Sequence, residues 1–390
     1  MKLITLFVLI LLALMVGSLY ADDQKIPADK PYSDFPLGVY LPWEYTSVNS
    51  KANNMNQWEY VKKVLQTLKN QNVDTIWLVN IGLGDLKKLL KISIPMGFKL
   101  TPGLGEIEPR SHSWKIDPAD PSTLEAPKQY YKTTTAQIME YLGEDRKGIA
   151  CWILGDEPTG NNIVLLDIIR QCFRDVDPEH PSMSVNMWPN TQEITQKTRL
   201  TTFCVDLYPF FSAKNPNGPN TPAASKNFFT VNAQRMVEEA GRDGRAAWVM
   251  GQCFSEIWGP YDADSKGNIY TLPGSFAHWR VPTVPEMRWQ VWEAIRCGAK
   301  GFVFFTVFFS STPNVDAKPV EMSNLKNILT KKRTKLGVVC LLDLQAEPTA
   351  QMQEAGRVFA RLKSYKALLS SLKPSTTEWI QGNDTVKAGC

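Results

Sequence analysis

Proton transfer in this chain falls to carboxylates rather than to imidazoles. Its three histidines, His112, His180 and His278, each lie alone in a polar, loop-like stretch, with no Cys-x-x-Cys and no pair at metal-ligand spacing. No G-x-S-x-G elbow appears either, so neither a histidine-rich metal site nor a Ser-His nucleophile is supported. The sharpest signal is Asp156-Glu157. An apolar run from Gly148 to Leu154 stops at Gly155, delivers the two acids, and meets Pro158 at once. Such a run reads as a strand buried on both faces, and the flanking Gly and Pro end it, so the carboxylates sit at the strand's C-terminal edge. A Glu at that place is desolvated, which suits a general acid near neutral pH. Asp156 has a plainer reading beside the chemical one, as a helix cap or an ion-pair partner of Arg288.

Further candidates come from the ends of the other apolar runs. The first ends in Pro42-Trp43-Glu44, the fifth in Asn186-Met187-Trp188, the sixth in Asp206-Leu207-Tyr208-Pro209, and the seventh in Gln252 with Glu256 four residues on. Trp43, Trp188 and Trp258 all fall at or just past strand ends. Indoles beside carboxylates suit a sugar, whose ring faces stack on aromatics while its hydroxyls need acceptors and donors. Glu256, Asp206 and Glu44 are the candidates for a second carboxylate facing Glu157. Trp43, Glu44, Trp188, Tyr208, Gln252, Trp258 and Arg280 are the candidate substrate contacts, Gln252 to ligand or to Glu157. For Arg280 and Arg288 the plainer reading is that of structural rim partners.

The elements that must position these groups alternate along the chain. Eight short apolar runs are Leu37 to Leu41, Thr75 to Val79, Phe98 to Pro102, Ile149 to Leu154, Ser182 to Asn186, Thr202 to Leu207, Ala247 to Gln252 and Gly301 to Phe305. Amphipathic segments fall between them, clearest at Gln57 to Asn70, Lys128 to Leu142, Asn162 to Phe173, Lys226 to Ala240 and Pro285 to Cys297. This alternation predicts an α/β fold, a (β/α)8 TIM barrel, with a doubly wound open sheet as the competing architecture. Thr283-Val284-Pro285-Glu286 has the spacing of a capping box. The loops after strands three, six and seven are long and rich in Gly, Pro, Asn and aromatics, which suits substrate sites. A closing helix is expected within Ala346 to Leu372, beginning after Glu347-Pro348-Thr349.

With 390 residues, 43% of them hydrophobic, the chain can bury a full core. Residues 1–21 read as a cleaved signal peptide, since the apolar run from Leu3 to Val16 is shorter than the ~20 residues that span a bilayer; an uncleaved membrane anchor is the alternative. The expected location is secreted or periplasmic, with no membrane span after signal removal. Residues 22–375 are expected to form the barrel. Residues 376–390, with Glu378-Trp379-Ile380 and Asp384-Thr385-Val386, read as a frayed tail or as the start of a truncated β domain. A net charge of +4 is spread along the chain, so nucleic acid is not an expected partner. The seven cysteines are odd in number and three of them, Cys151, Cys204 and Cys253, fall in buried runs, so no disulfide framework is expected. No cofactor is called for.

Taken in order, Gly155-Asp156-Glu157-Pro158, Asp206-Leu207-Tyr208-Pro209, Trp248-Val249-Met250-Gly251-Gln252, Arg280 to Arg288 and Gly298-Ala299-Lys300-Gly301 give the chain a family likeness. It resembles the secreted, glycosidase-like (β/α)8 barrels of bacterial polysaccharide-degrading systems, over most of residues 37–372. Those barrels resemble the large retaining clan of glycoside hydrolases, with an acid/base Glu after strand four and a nucleophilic Glu after strand seven. The resemblance implies hydrolysis of O-glycosidic bonds in a polysaccharide or glycoconjugate, with Glu157 as acid/base. The chain departs from it at strand seven, where Gln252 can neither form a glycosyl ester nor act as a base. Three readings answer that departure. Glu256, Asp206 or Glu44 supplies the second carboxylate; or Asp156-Glu157 works with a substrate acetamido group, as in β-hexosaminidases; or the barrel binds carbohydrate without turnover. A purely structural role in a surface assembly is a further alternative.

Overall fold

The computed structural model describes residues 32–371 apart from 118, 214, 216–217, 220, 243, 259–260, 264–268, 272, 274 and 310–334. Seven strands follow one another: β1 (Leu37–Tyr40), β2 (Thr75–Ile81), β3 (Lys99–Leu104), β4 (Trp152–Asp156), β5 (Ser182–Met187), β6 (Thr202–Leu207) and β7 (Ala246–Gln252). Four short strands come next, β8 (Ser255–Trp258), β9 (Tyr261–Ala263), β10 (Ile269–Thr271) and β11 (Phe276–Trp279), then β12 (Phe302–Phe305) and β13 (Lys335–Val339). Eight of these pair in the order β3-β2-β1-β12-β7-β6-β5-β4, each neighbour parallel to the next. The remaining join, between β3 and β4, is a parallel bridge between Leu100 and Ile149, with Ala150 N–H donating to the Leu100 carbonyl at 2.7 Å. The sheet is therefore a nearly closed parallel barrel, and the expected TIM architecture holds where an open sheet would leave two free edges.

The sequence folds this way because its strands are apolar on both faces. Along β2, Trp77 and Val79 point into the barrel while Ile76 and Leu78 face the helices; along β7, Trp248 and Met250 point in while Ala247 and Val249 face out. The interior is filled by these side chains with Ile153, Met183, Val185 and Val303, so it is a packed core and not a pore.

The helices are α1 (Trp43–Ala52), α2 (Gln57–Asn70), α3 (Leu83–Ser93), α4 (Glu125–Leu142), α5 (Asn162–Val176), α6 (Thr191–Lys197), α7 (Pro222–Gly241), α8 (Val284–Cys297), α9 (Ala350–Lys363) and α10 (Lys366–Ser371). The Thr283 capping box forms, with Thr283 Oγ accepting from Glu286 N–H and the Glu286 carboxylate from Thr283 N–H at 2.8 Å. The closing helix begins at Ala350, directly after Glu347-Pro348-Thr349 as the sequence suggests, with Thr349 as its cap, and it breaks between Lys363 and Lys366. Helix α1 escaped the periodicity reading because its sequence, WEYTSVNSKA, has no sustained apolar stripe. The long connection after β7 is partly sheet: β11, β8 and β13 form an antiparallel set on the barrel mouth. Residues 1–21 and 376–390 lie outside the described residues.

Gly301 sets how closely β12 approaches its surroundings. A Cβ there would fall 2.5 Å from Pro36 Cγ and 2.8 Å from Trp248 Cγ, whereas one at Gly241 would meet nothing within 4 Å. Gly301→Ala is therefore expected to cost about 1–3 kcal/mol in urea unfolding, and Gly241→Ala to be neutral or mildly stabilising. Equal stability of the two variants would contradict this packing.

Candidate active site

The C-terminal ends of the barrel strands open on a cavity of about 330 Å³. Its described lining includes Glu44, Asp156, Glu157, Asp206 and Glu256, with Tyr40, Tyr208, Phe254, Trp279 and Phe305 as aromatic walls. The floor is apolar, from Val79, Val185 and Met250. All four candidate catalytic residues thus meet in one space, and two of the candidate contacts, Glu44 and Tyr208, join them.

Glu157 is placed by an unusual turn. Its backbone has φ 50°, the left-handed region that a residue with a Cβ seldom adopts, and its N–H donates to the Val185 carbonyl at 2.8 Å. Such a conformation costs on the order of 1–3 kcal/mol and persists where its surroundings enforce it. Here the chain must leave β4 and enter Pro158 while still bonded to β5, and the Glu157 side chain is turned into the cavity.

Asp206, near the end of β6, is hydrogen-bonded to the Glu157 carboxyl. Two carboxylates cannot make that bond without a proton between them. Burial, then the charge of Glu157, pushes the Asp206 carboxyl well above the usual carboxylate range, which places that proton on Asp206. Asp156 stands beside the pair. Its carboxyl rises to about 6, mainly through burial, and Arg110 opposes the rise while Glu157 and Glu108 add to it. Arg110 Nη2 donates to Asp156 Oδ2 at 3.0 Å, and Arg110 Nε donates to Glu108 Oε1 at 3.2 Å. Glu108 Oε2 in turn accepts from Asp156 N–H at 3.1 Å. The Asp156 side chain is a third exposed, and it lines the cavity.

Glu256 comes from β8, the first strand of the added sheet, and Trp258 Nε1–H donates to its Oε2 at 2.5 Å. Trp258 stacks flat on His278, with ring centroids 3.7 Å apart and planes at 13°. Tyr208 packs edge-on against Phe254 and Trp279, and burial, followed by the nearby Asp206, raises its phenol well above normal. It remains a neutral donor, directed at Met250 Sδ at 3.4 Å. Glu44, on the first turn of α1, is raised by burial.

Five expected contacts lie elsewhere. Trp43 is buried outside the barrel, its Nε1–H donating to Asp85 Oδ2 at 3.0 Å and its ring against Trp58. Trp188 lies just beyond β5 on the surface, 41% exposed, against Phe228 rather than in the cavity. Trp258 supports Glu256 from behind. Gln252 is fully buried, with Oε1 accepting from Phe210 N–H at 2.8 Å and Nε2 donating to the carbonyls of Phe254 and Arg280 at 3.0 and 2.9 Å. It locks the loop backbones together and does not reach Glu157. Arg280 forms two bonds to Glu286, at 2.7 and 2.6 Å, and is the structural partner that the plainer reading gave. Arg288 pairs with Glu354 at 2.8 Å, so the partner of Asp156 is Arg110 instead.

The residues that motif reading missed are Glu108, Arg110, Tyr40, Phe254, Trp279 and Phe305. Glu108-Pro109-Arg110 follows the third strand closely, as Asp156-Glu157 ends the fourth, so its charge at a strand end was the available signal. Among the described residues, no group of three or more His, Cys, Asp or Glu is arranged to hold a metal ion, and no helix is long and apolar enough to cross a membrane. Six described cysteines are free.

No family model and no curated protein matches the sequence. Solved structures do match the fold. A beta-glucuronidase of Ruminococcus gnavus is similar at TM-score 0.51 and 10% identity, over 84% of this chain and 50% of that one. The same enzyme in complex with D-glucuronic acid matches at TM-score 0.51 and 9% identity, over 83% and 49%. An exo-beta-1,4-mannosidase of an Opitutaceae bacterium, strain TAV5, gives TM-score 0.52 and 12% identity over 85% and 60%. The chain spans about half the length of the glucuronidase and three-fifths of the mannosidase. At such identities the likeness is one of fold, and it is to the barrels of glycoside hydrolases.

Proposed function

We propose that this protein is a secreted glycoside hydrolase acting on a polysaccharide or glycoconjugate, with Glu157 giving its proton to the glycosidic oxygen. The observation that carries this reading is the meeting of Asp156, Glu157, Asp206 and Glu256 in one aromatic-walled cavity at the C-terminal mouth of a parallel barrel. In this reading Glu157 passes its own proton to the leaving oxygen as the bond breaks, while Asp206, kept protonated by burial, donates a hydrogen bond to the ionised Glu157 that results. Asp206 is engaged with the Glu157 carboxyl, so the second carboxylate, which stands ~5–5.5 Å away in retaining and ~6.5–9.5 Å away in inverting enzymes, comes from elsewhere. Glu256 takes that role, entering the cavity from beyond strand seven. Asp156 is engaged by Arg110, which leaves it less suited to orient a substrate acetamido group.

One observation favours a second reading. Gln252 occupies the strand-seven end where the resembling clan has its nucleophile, and its amide is consumed by backbone bonds. A barrel that binds carbohydrate without cleaving it would look the same there.

The deciding measurement is release of sugar from a glycan panel. Wild-type protein is expected to cleave one member, and Glu157→Gln to lose about 10²–10⁴-fold in kcat on it. Cleavage by the Gln variant at the wild-type rate removes Glu157 from the role, and cleavage of nothing by the wild type leaves the binding barrel. The shared proton gives a second expectation. A carboxyl raised in the folded state contributes stability that is whole below about pH 4 and is lost as pH climbs through the folded value. Asp206→Asn keeps a donor toward Glu157 and removes the titration. Its thermal stability should match wild type near pH 4 and exceed it at pH 8, by on the order of 1 kcal/mol or more; equal stability at both pH values would refute the shared proton. For secretion, the exported protein is expected to begin at Asp22 by N-terminal sequencing, and retention of residues 1–21 would contradict it.

A further inference from the structure

The cavity wall carries five carboxyl groups, Glu44, Asp156, Glu157, Asp206 and Glu256, and no lysine, arginine or histidine among its described lining residues. Arg110 is the nearest balancing charge to Asp156, and it is divided between Asp156 at 3.0 Å and Glu108 at 3.2 Å without itself lining the cavity. Deeper in, Asp206 Oδ1 is buried, without a further hydrogen-bond partner among the described residues, and Asp206 stands beside Glu157 in the lining. The remaining walls are aromatic and aliphatic, so charge inside the cavity is weakly screened and its field is concentrated there.

These features select among sugars by their charge. A carboxylate on the ligand would give up its water and meet like charges on the walls. Hydroxyls would find acceptors, since every carboxyl oxygen without a proton accepts. An ammonium would find acceptors and an attractive field together. We propose that the sugar held against Glu157 carries no acid group, and that the preferred class is an amino sugar in its ammonium form, ahead of neutral sugars and with uronic acids rejected. This rests on the carbohydrate-binding reading of the cavity and adds the charge of its ligand.

The test is calorimetric titration of the whole chain with amino, neutral and uronic sugars matched within the gluco, galacto and manno series, so that each set differs in one substituent. In the series that binds, the amino sugar should bind about tenfold tighter than the neutral one and the uronic acid at least about tenfold weaker, with both gaps narrowing as salt is raised. A uronic acid bound as tightly as its neutral counterpart overturns the proposal. So does an amino sugar bound no better than the neutral one, and so does an absence of binding in all three series. Turnover of the matching aryl glycosides is read separately. Binding in the expected order without cleavage defeats the hydrolase reading and leaves the charge preference standing, whereas cleavage of neutral glycosides with the uronic acid bound best does the reverse.

Discussion

Two carboxyl groups in hydrogen-bond contact at the bottom of a poorly hydrated cavity cannot both be ionised, and this constraint organises the mouth of the barrel. Glu157 and Asp206 come from β4 and β6, two strands apart in the sheet, so their contact exists only because β5 lies between them in register. The left-handed turn at Glu157, fastened to Val185 on that same β5, brings the side chain inward. A relaxed backbone at this residue would aim it elsewhere. The strain, the register and the shared proton are one arrangement, held by strand pairing that a nearly closed barrel over-determines.

Around the pair, neighbouring groups adjust charge without taking part in it. The Glu108–Arg110–Asp156 chain binds the end of β4 to the loop after β3, close to where the sheet has its single bridge pair at Leu100 and Ile149. Weak pairing at that seam is thus compensated above by charge-assisted bonds. Opposite, Gln252 laces β7 to its loops and Gln290 ties it to α8, with Gln290 Nε2 donating to the Gln252 carbonyl and its Oε1 accepting from the Gln252 N–H, both at 2.8 Å. A buried amide with every polar atom partnered is a fastening.

How much of this was legible follows from the kind of signal each residue leaves. Strands buried on both faces must be apolar without alternation, so all eight stood out, and the Gly–Asp–Glu–Pro break after the fourth stood out with them. Strand ends gave the five carboxylates that meet in the cavity. They misled for Trp43, Trp188 and Trp258, because an indole beside a strand end is as easily packed behind the rim as over the opening, and only the path of the loop decides. Gln252 misled for a related reason: an amide signals hydrogen bonding but not its partner. Arg110 was missed because its link to Asp156 spans 46 residues and arises solely from closure of the ring. The extra sheet was hidden because β8 and β11 have four residues each and β13 has five, too few to show a period.

That sheet divides the cavity into parts of different origin. Glu157 and Asp206 belong to the barrel frame, and displacing them means disturbing the core. Glu256 and Trp279 belong to β8 and β11, strands with register irregularities that are joined to the frame chiefly at its rim. The two sides of the opening are therefore free to diverge at different rates: one side inherits its geometry from the fold, and the other can be reshaped by insertions that the fold does not feel.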